Sequence, residues 1–490
     1  MTRFVNMAMP NDQHHHENQS FSSSSSVVVV TVPFPAQSHL NQLLQFAHVL
    51  SSYDIPVHYV GSSLHNSQVK SRSSNPLHHL TKIHFHDFQI PFLPSPPRNF
   101  CSKTRFPENM IPCFEASKHL RQPVASLLRS LSPTTERLVV VYDLLMASVV
   151  QDVVSLPNAE SYTFTCASAF AAFAFRCEAL GRKDRVPVKD LPSANSCLPS
   201  AVQDFVSLQE KMSFSKAGKL YNSCRAIEGS FIDVLAANNK ISGKKKTWAV
   251  GPLHQTTVSK ELTGRDKRLL EWLDKQEPNS ILYISFGTTT SFSDEENREI
   301  ALGMELSGVK FIWVLRDADK ADIFSNEGRR SPQLPDGFEE RVKGTGMVVR
   351  EWVAQVEILG HPSTGGFMCH CGWNSCVESL SAGVPIVAWP MHSDQPMNAL
   401  LITNLLKVGV VIMEWGQRNK LVSKYMISKA VRRLMASKEG GRIRKRAEAM
   451  GEAVKRSVAE GGDCSLERDS FVAHITRKRS SLENRKTPRL

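Results

Sequence analysis

A histidine and an aspartate occupy equivalent places in the first part of the chain. His39 follows the apolar run Val27–Phe34, and Asp143 ends the apolar run Arg137–Asp143. An imidazole, whose ordinary pKa is about 6.5, can take a proton from an alcohol, and a carboxylate can fix its tautomer and stabilise the imidazolium. In a chain with 17 histidines, residue types alone do not make the two a pair. Both are predicted to lie at strand ends, opposite the second group of polar residues described in the next paragraph. This placement favours a general base and its partner.

A second group of polar residues surrounds a predicted helix start. Thr364–Cys369 is a short apolar run typical of a buried strand, and the turn from His370 is one that glycine permits. Asn374 and Ser375 then begin a helix, where free backbone N–H groups and the helix dipole attract phosphate. Glu378 lies on the same helical face as Asn374, so its carboxylate is placed to accept hydrogen bonds from ribose hydroxyls.

Two further loops are predicted to lie at the same edge of the sheet. Pro385–Pro390 is a predicted strand that delivers Asp394 and Gln395 to its carboxyl end, where open α/β sheets bind ligands. Gly287 and Thr288 form a turn after the apolar run that starts at Ile281. These loops lie at the same edge as the helix start, where a ligand that carries phosphate is expected to bind.

The elements that would position these residues form two series of alternating strands and helices. This alternation predicts a doubly wound α/β fold in each half. The predicted strands of the first half are Val27–Phe34, Pro56–Gly61, Ile83–Phe88, Arg137–Asp143, Ser161–Cys166 and Thr247–Leu253, with helices at Cys113–Leu131 and Leu144–Ser155. Those of the second are Ile281–Gly287, Lys310–Arg316, Met347–Trp352, Thr364–Cys369 and Pro385–Pro390, with a helix at Asp294–Ser307.

Length and composition set the outer limits. A chain of 490 residues exceeds one ordinary core, so two domains are expected. The predicted boundaries are a disordered leader at 1–26, a first domain at 27–253, a linker at 254–265, a second domain at 266–460, a helix at 461–476 that packs back on the first domain, and a basic tail at 477–490.

Composition also excludes several classes of function. The net charge of +12 is not accompanied by aromatic residues interleaved with the basic ones of the tail, so we expect no nucleic-acid partner. No apolar run approaches the length of about 18 residues that a membrane helix needs, so no membrane partner is expected. The ten cysteines include no C-x-x-C pair, which argues against a disulfide framework or a zinc site and fits a cytoplasmic location. A nicotinamide-dependent dehydrogenase would carry G-x-G-x-x-G after its first strand, and Pro33-Phe-Pro-Ala-Gln-Ser-His contains no glycine.

The segment Trp352–Gln395 resembles the signature box of plant secondary-product glycosyltransferases, family-1 enzymes that use UDP-sugars. It matches the box in length and in its Trp, Gln, His, Trp-Asn-Ser, Glu and Asp-Gln positions. The resemblance implies the glycosyltransferase-B fold, with two Rossmann-like domains facing each other across a cleft. It assigns uracil to Trp352 and the backbone of Val353, ribose to Gln355 and Glu378, and sugar hydroxyls to Trp373, Asp394 and Gln395.

The same resemblance implies an inverting transfer. His39 would deprotonate the acceptor, with Asp143 as its partner, and the hydroxyl would attack the anomeric carbon from the face opposite UDP. His370, the helix start at Asn374 and Ser375, and the turn at Gly287 and Thr288 would neutralise the leaving diphosphate, so neither a cofactor nor a metal is expected. The motif Asp317-Ala-Asp319 is associated with metal-dependent glycosyltransferases of the other fold, but it follows a strand in a charged loop, and we interpret it as solvated surface.

Stretches outside the box, such as Pro56-Val-His-Tyr-Val-Gly and Pro390-Met-His-Ser-Asp-Gln-Pro, resemble zeatin O-glucosyltransferases and O-xylosyltransferases. The expected partners are therefore UDP-glucose or UDP-xylose and a small apolar acceptor alcohol, a cytokinin, bound by a monomer. Aromatic residues Phe92, Phe100, Phe106 and Phe114 could line its pocket. A flavonoid or another phenol is the alternative acceptor, and a nucleotide-sugar sensor is the alternative without catalysis. One departure from the family is Cys166, which stands where a Thr or Ser usually binds the donor sugar, and a thiol is a poor hydrogen-bond donor.

Overall fold

The computed structural model describes residues 25–72, 82–91, 93–94, 105–213, 217–241, 245–253, 264–290, 292–316 and 333–478. Residues 1–24 of the predicted leader, most of the linker, nearly all of the basic tail and the Asp317-Ala-Asp319 motif lie outside these residues, whereas Ser25 and Ser26 of the predicted leader belong to the first strand. So do Phe92 and Phe100. Among the described residues, no helix combines the length and the apolar character that crossing a membrane requires.

The first half of the described chain forms a sheet of seven parallel strands. They are β1 (Ser25–Val32), β2 (Val57–Ser62), β3 (Ile83–Phe88), β4 (Thr135–Asp143), β5 (Ala159–Thr165), β6 (Gly218–Tyr221) and β7 (Lys246–Ala249), in the order β3-β2-β1-β4-β5-β6-β7. The valine-rich runs in β1 and β4 are buried, as expected for strands covered on both faces. The strand order reverses between β1 and β4, which makes their carboxyl ends the place where this architecture binds ligands.

The second half repeats the plan with six parallel strands. They are β8 (Ile281–Ser285), β9 (Lys310–Val314), β10 (Gly346–Val349), β11 (Thr364–Cys369), β12 (Ile386–Ala388) and β13 (Gly409–Val411), in the order β10-β9-β8-β11-β12-β13. Here the order reverses between β8 and β11. Two doubly wound parallel sheets in one chain confirm the predicted α/β fold class.

Helices cover both sheets. Those of the first half are α1 (Gln37–Ser52), α2 (Ser63–Arg72), α3 (Ile111–His119), α4 (Arg121–Leu131), α5 (Ala169–Ala179), α6 (Ala194–Cys197), α7 (Ser200–Met212) and α8 (Arg225–Ile241). Those of the second are α9 (Gly264–Leu273), α10 (Asp294–Ser307), α11 (Phe338–Arg341), α12 (Gln355–Leu359), α13 (Trp373–Ala382), α14 (Gln395–Leu400), α15 (Lys424–Met435), α16 (Lys438–Val458) and α17 (Asp463–Thr476).

The predicted helix Leu144–Ser155 is wrong. The segment instead forms two short 3₁₀ turns, Leu144–Met146 and Gln151–Ser155. Side chains from outside the segment accept hydrogen bonds from its backbone amides. The Asp143 carboxylate accepts from the amide of Leu145 at 2.9 Å, and Gln209 accepts from the amide of Ser148 at 2.8 Å. These bonds compete with the helix and explain why the apolar pattern misled the prediction.

The predicted helix Cys113–Leu131 is two helices, α3 and α4, which meet at Leu120. Pro123 is the reason, because proline has no N–H to donate to the carbonyl four residues earlier. The chain restarts at Arg121 and places the proline in the first turn of α4, where the missing donor does no harm. Other predicted elements differ from the observed bounds only at their ends.

The last helix, α17, packs against the first sheet rather than the second. Phe471 and Ile475 are buried in the same cluster as Val29 and Val139. Arg137, on β4, is buried and donates from one guanidinium nitrogen to the carbonyls of Ile475 at 2.7 Å and Arg477 at 2.6 Å. These bonds satisfy carbonyl groups that the end of a helix leaves free.

Replacing Arg137 with Ala is expected to weaken the docking of α17. The change leaves the two carbonyl groups without their donor and removes one of the two cations of Glu160, 3.4 Å from the guanidinium, while Arg477 stays paired with that carboxylate. We expect a loss of roughly 3 kcal/mol in the free energy of unfolding, because buried carbonyl groups lose their hydrogen-bond donor. Urea denaturation measures the loss, and limited proteolysis reports release of α17.

The matched control is Arg129→Ala. Arg129 is exposed and lies 3.6 Å from Asp152 at the surface, so its loss should change the free energy of unfolding by less than about 1 kcal/mol. Equal effects of the two substitutions would show that Arg137 does not anchor the helix.

Candidate active site

The carboxyl ends of the two sheets meet. Nδ2 of Asn374, at the start of α13, donates to the carbonyl of Ser38 at 3.1 Å. The indole N–H of Trp373 donates to the carbonyl of Asn222 at 2.7 Å. The first bond joins the halves at the points where the strand order reverses, and the second joins the start of α13 to the residue after β6. Residues at the ends of β1, β4, β8 and β11 therefore share one site.

His39 and Asp143 are in direct contact. Nδ1 of His39 and Oδ2 of Asp143 lie 2.6 Å apart. The second carboxylate oxygen accepts from the amide of Leu145 at 2.9 Å, which fixes its orientation. The aspartate is buried, whereas the imidazole is 25% exposed. With Nδ1 donating to the carboxylate, Nε2 is left with a free lone pair, which is the tautomer a general base needs.

Opposing effects act on the protonation of His39. Burial lowers its pKa most strongly, but the negative charge of Asp143 and the hydrogen bond to it, with a smaller contribution from Asp394, raise it. The net result is a pKa above the ordinary value of 6.5. Asp394 belongs to the second half of the chain, so charges from both halves act on the imidazole.

Cys166 is a third member of this cluster. Its Sγ donates to Oδ2 of Asp143 at 3.1 Å, the same oxygen that contacts His39. Burial and the neighbouring carboxylate raise the pKa of its thiol well above the ordinary value, so the thiol keeps its proton. Gln42 donates to the carbonyl of Cys166 at 3.0 Å and accepts from Asn222 at 2.7 Å. Sequence reasoning placed Cys166 at a sugar and missed its contact with the aspartate.

In the second half of the chain, His370 directly follows β11 and is buried. Burial lowers its pKa to about 4, so the ring is neutral near pH 7. Its Nδ1 is buried and has no partner within the described part of the chain. A Cβ on Gly287 would come within 2.7 Å of the ring, and one on Gly372 within 2.4 Å. Both glycines are therefore required by the imidazole.

The turn after His370 differs from its prediction. The residue with the left-handed backbone is Cys371, at φ 61°, while Gly372 has an ordinary φ of −59°. Glycine is needed at 372 for space beside the ring rather than for conformational freedom.

The first turn of α13 presents backbone donors. Gly372 precedes the helix, no side chain caps it, and its first turn contains no acid. Four N–H groups at such a helix start lack partners within the helix, and the dipole makes the position attractive to anions. Oδ1 of Asn374 is a second buried atom without a partner among the described residues. These features make the helix start a site for an anionic group.

Gln355 and Glu378 form a polar pair beside this helix start. Nε2 of Gln355 donates to Oε2 of Glu378 at 2.6 Å and to Oγ of Ser375 at 3.4 Å, and its Oε1 accepts from the Tyr283 hydroxyl at 3.1 Å. Burial raises the pKa of Glu378 to about 7, while the bond from Gln355 opposes this rise and the charge of Glu357 adds to it. The carboxyl group can therefore donate or accept near neutral pH.

Trp352 presents part of its indole ring to solvent. It is 44% exposed, and the guanidinium carbon of Arg316 lies 4.8 Å from its ring centroid. The next residue, Val353, is buried, and the amide of Ala354 donates to Asp266 at 3.3 Å. A large exposed tryptophan held by a cation suits a planar ligand.

Asp394 and Gln395 precede and begin α14. Asn398 donates to Asp394 at 2.9 Å and to the carbonyl of Cys371 at 3.0 Å, and it accepts from the Ser168 hydroxyl at 2.7 Å. Burial raises the pKa of Asp394, and the charge of His39 partly offsets this rise. The side-chain oxygen of Gln395 accepts from the backbone amides of Met391 and His392 at 2.9 and 3.1 Å. The side-chain nitrogen of Gln395 is therefore the atom that can donate a hydrogen bond to a ligand.

The predicted site residues differ in how they contribute to the shared site. His39 and Asp143 are in contact, and the charge of Asp394 acts on His39. His370 packs against Gly287, which is followed by Thr288 in the turn after β8. The side chain of Trp373 is instead buried with its N–H bonded to Asn222. This placement makes it a contact between the halves and leaves no indole donor for a ligand. Thr290, which sequence reasoning did not single out, has a buried hydroxyl without a partner among the described residues.

Comparison with known proteins gives consistent matches. Residues 25–255 match the family model "Glycosyltransferase, N-terminal domain" and residues 259–437 match "UDP-glucoronosyl and UDP-glucosyl transferase". The zeatin O-glucosyltransferase of Phaseolus lunatus is 49% identical, covering 91% of this chain and 96% of that one. The zeatin O-xylosyltransferase of Phaseolus vulgaris is 48% identical, covering 91% and 97%. The crystal structure of a UGT transferase from Siraitia grosvenorii in complex with UDP matches with a TM-score of 0.71 and 27% identity, covering 92% of this chain and 100% of that one.

Replacing Asp143 with Asn is expected to lower the pKa of His39 from above to below 6.5. The substitution removes the charge that raises the pKa most, so that only the smaller contribution of Asp394 still opposes the effect of burial. Deuterium exchange at the imidazole Cε1 position, followed by mass spectrometry against pH, measures this value for each histidine. In Asp152→Asn, which alters a surface carboxylate paired with Arg121, the pKa of His39 should not change. An unaltered pKa in Asp143→Asn would contradict the assigned electrostatics.

Proposed function

The chain belongs to the UDP-glycosyltransferase family and is such an enzyme, and we propose that it transfers glucose from UDP-glucose to the side-chain hydroxyl of a cytokinin such as zeatin. The contact between His39 and Asp143, facing Asp394 and the start of α13, is the observation that carries the proposal. The names of the two Phaseolus relatives support the acceptor, and the family model matched by residues 259–437 supports a UDP-sugar donor.

His39 acts as the general base. An aliphatic hydroxyl is a very weak acid, so its attack on a sugar requires that a proton be removed as the bond forms. Nε2 of His39 takes this proton, and the imidazolium that results is stabilised by Asp143 at 2.6 Å. The buried carboxylate also holds the ring in the productive tautomer, as in other histidine–aspartate pairs.

The uridine half of the donor lies over the second sheet. Its uracil stacks on the exposed face of Trp352 and bonds to the backbone of Val353, and its ribose hydroxyls bind Glu378 and Gln355. The raised pKa of Glu378, about 7, suits a group that can donate to one hydroxyl oxygen and accept from another.

The diphosphate binds at the start of α13. There the backbone amides, the side chains of Asn374 and Ser375, and the unpartnered Nδ1 of His370 converge with the turn at Gly287 and Thr288. Donors fixed in place before the reaction stabilise the charge that develops on the leaving diphosphate. In this proposal they do so without a metal ion.

The transferred sugar lies between the diphosphate and His39. Asp394 and the amide nitrogen of Gln395 bind its hydroxyls, while Asn398 and backbone amides hold these two side chains in place. The base and the diphosphate site belong to opposite halves of the chain, so the acceptor approaches the anomeric carbon from the side away from UDP. Transfer therefore inverts the configuration of that carbon.

A row of buried aromatic rings lies beside His39 and backs the position proposed for the acceptor. The ring of Phe34 lies 5.4 Å from His39 and 5.0 Å from Phe114, measured between centroids, and Phe106 lies 5.4 Å from His392. These rings join residues of both halves. Apolar surroundings of this kind suit a flat purine with a short hydroxylated side chain.

We place the enzyme in the cytoplasm. The nine cysteines of the described residues are all buried, free thiols, which suits a reducing compartment. This assignment is supported by thiol chemistry and is independent of the proposed acceptor.

His39→Ala is expected to abolish most transfer to zeatin while leaving UDP binding intact. Removing a general base lowers the rate by roughly 10²–10⁴-fold. Purified protein is offered UDP-glucose or UDP-xylose with trans-zeatin, cis-zeatin or a flavonol, and products are identified by mass spectrometry. The matched control is His119→Ala, an exposed histidine at the end of α3, which should behave as wild type.

The acceptors also separate the candidate functions. A phenol ionises more readily than an aliphatic alcohol, so turnover of a flavonol should survive loss of the base better than turnover of zeatin. Transfer to the flavonol alone would replace the cytokinin by a phenol, and full zeatin transfer by His39→Ala would contradict the role of the base.

Trp352→Ala is expected to weaken UDP binding. Stacking of a base on an aromatic ring contributes about 1–3 kcal/mol, which corresponds to a dissociation constant raised by roughly 5- to 150-fold. Isothermal titration calorimetry with UDP measures this change. The control Tyr425→Ala removes a ring that is 66% exposed elsewhere on the second half and should leave affinity unchanged. Wild-type affinity in Trp352→Ala would show that uracil does not stack there.

A further inference from the structure

The cluster around Asp143 has the composition of a transition-metal site. Among the residues that the structure describes, His39, Asp143 and Cys166 form a group whose ligand atoms all lie within 4.8 Å of one another. Nitrogen, carboxylate oxygen and thiolate sulfur are the three donor types that zinc prefers. A hydroxyl in place of the thiol would remove the softest of them.

We propose that a thiophilic divalent cation such as Zn²⁺ binds Nδ1 of His39, a carboxylate oxygen of Asp143 and Sγ of Cys166, and thereby inhibits the enzyme. The site itself follows from these three side chains. The inhibition rests on the proposed function, because it requires His39 to be the base.

The observed geometry requires little rearrangement. In tetrahedral zinc sites with bonds of about 2.0–2.3 Å, neighbouring ligand atoms stand about 3.3–3.8 Å apart. Nδ1 lies 2.6 Å and Sγ lies 3.1 Å from Oδ2 of Asp143, so these two pairs must separate by roughly 1 Å or less. Nδ1 and Sγ lie within 4.8 Å of each other and must reach the same separation. The ion takes the place of the protons that now join these atoms.

Neighbouring bonds already orient the ligands. The amide of Leu145 holds the other oxygen of Asp143, and Gln42 holds the backbone of Cys166. Partners of this kind support metal affinity by fixing the ligands in place. The imidazole is the ligand that remains partly exposed, which gives an ion a route to the buried pair.

The proton balance explains the inhibition. Cys166 loses its thiol proton to solvent when the Zn–S bond forms. Nδ1 of His39 gives up the proton that it shared with Asp143 and binds the metal, while Nε2 takes up a proton from solvent. The imidazole therefore stays neutral, and one proton is released in total. Because Nε2 no longer has a lone pair, it cannot accept the proton of the sugar acceptor. No redox change takes place, and removal of the ion restores the base.

The test uses Co²⁺ as a spectroscopic probe in place of Zn²⁺. Full-length wild type is titrated with Co²⁺, and the thiolate-to-cobalt charge-transfer absorption in the near ultraviolet is recorded. The band should appear in wild type and in the control Cys177→Ser, which alters another buried thiol of the first half. It should be lost in Cys166→Ser and in Cys166→Ala. Thermal unfolding midpoints identify a variant that has not folded, and either variant alone suffices.

A second arm measures inhibition of zeatin transfer by Zn²⁺. The concentration giving half inhibition should rise by at least about tenfold in Cys166→Ser, as expected when a metal site is weakened. Absence of the cobalt band in wild type, or its survival in both Cys166 variants, would overturn the site. Equal inhibition of wild type and Cys166→Ser would overturn the link to the base. Because the absorption needs neither UDP nor zeatin, its outcome is separate from that of the proposed function.

Discussion

The hydrogen bond between His39 and Asp143 depends on the adjacency of two parallel strands. Val32, at the end of β1, pairs in register with Tyr142 on β4, so the two strands end level with each other. Asp143 is the next residue, and the chain after Val32 turns directly into α1, which carries His39 in its first turn. The continuous valine runs of both strands hold them side by side in the core. The hydrophobic packing of the sheet thereby fixes the distance on which the base depends.

A second constraint is that the other sheet must present its own reversal point to the first. The bonds from Asn374 to Ser38 and from Trp373 to Asn222 join the halves beside the site, and Trp415 donates to Ser196 at 2.9 Å farther away. Because these bonds hold the halves together, the charge of Asp394 in the second half raises the pKa of His39 in the first. Burial by the opposing half strengthens these electrostatic interactions, because fewer water molecules screen the charges.

The sequence was sufficient to predict the fold class and the ends of the strands that it identified, because each depends on a local pattern, but the short strands β6 and β13 were not predicted. The valine runs indicated buried parallel strands, and the residues that follow them indicated where ligands bind. It was not sufficient for properties set by tertiary neighbours. Leu144–Ser155 has an apolar pattern suited to a helix, yet side chains of Asp143 and Gln209 bind its backbone. Trp373 stands among the predicted donor-binding residues, yet its N–H is taken by the opposite half of the chain. Cys166 gives no local signal of its contact with Asp143, since the two come from different strands.

The central claim is that transfer requires His39 to remove the proton of the acceptor hydroxyl. The most direct measurement is kcat/KM for zeatin as a function of pH, compared with the ionisation of His39 in the same protein. Since the histidine must be neutral to accept a proton, and its pKa lies above 6.5, activity should fall as the pH is lowered through an ionisation that lies above pH 6.5 and coincides with the pKa measured for His39. Activity that remains constant as the pH falls well below the pKa of His39 would contradict the account.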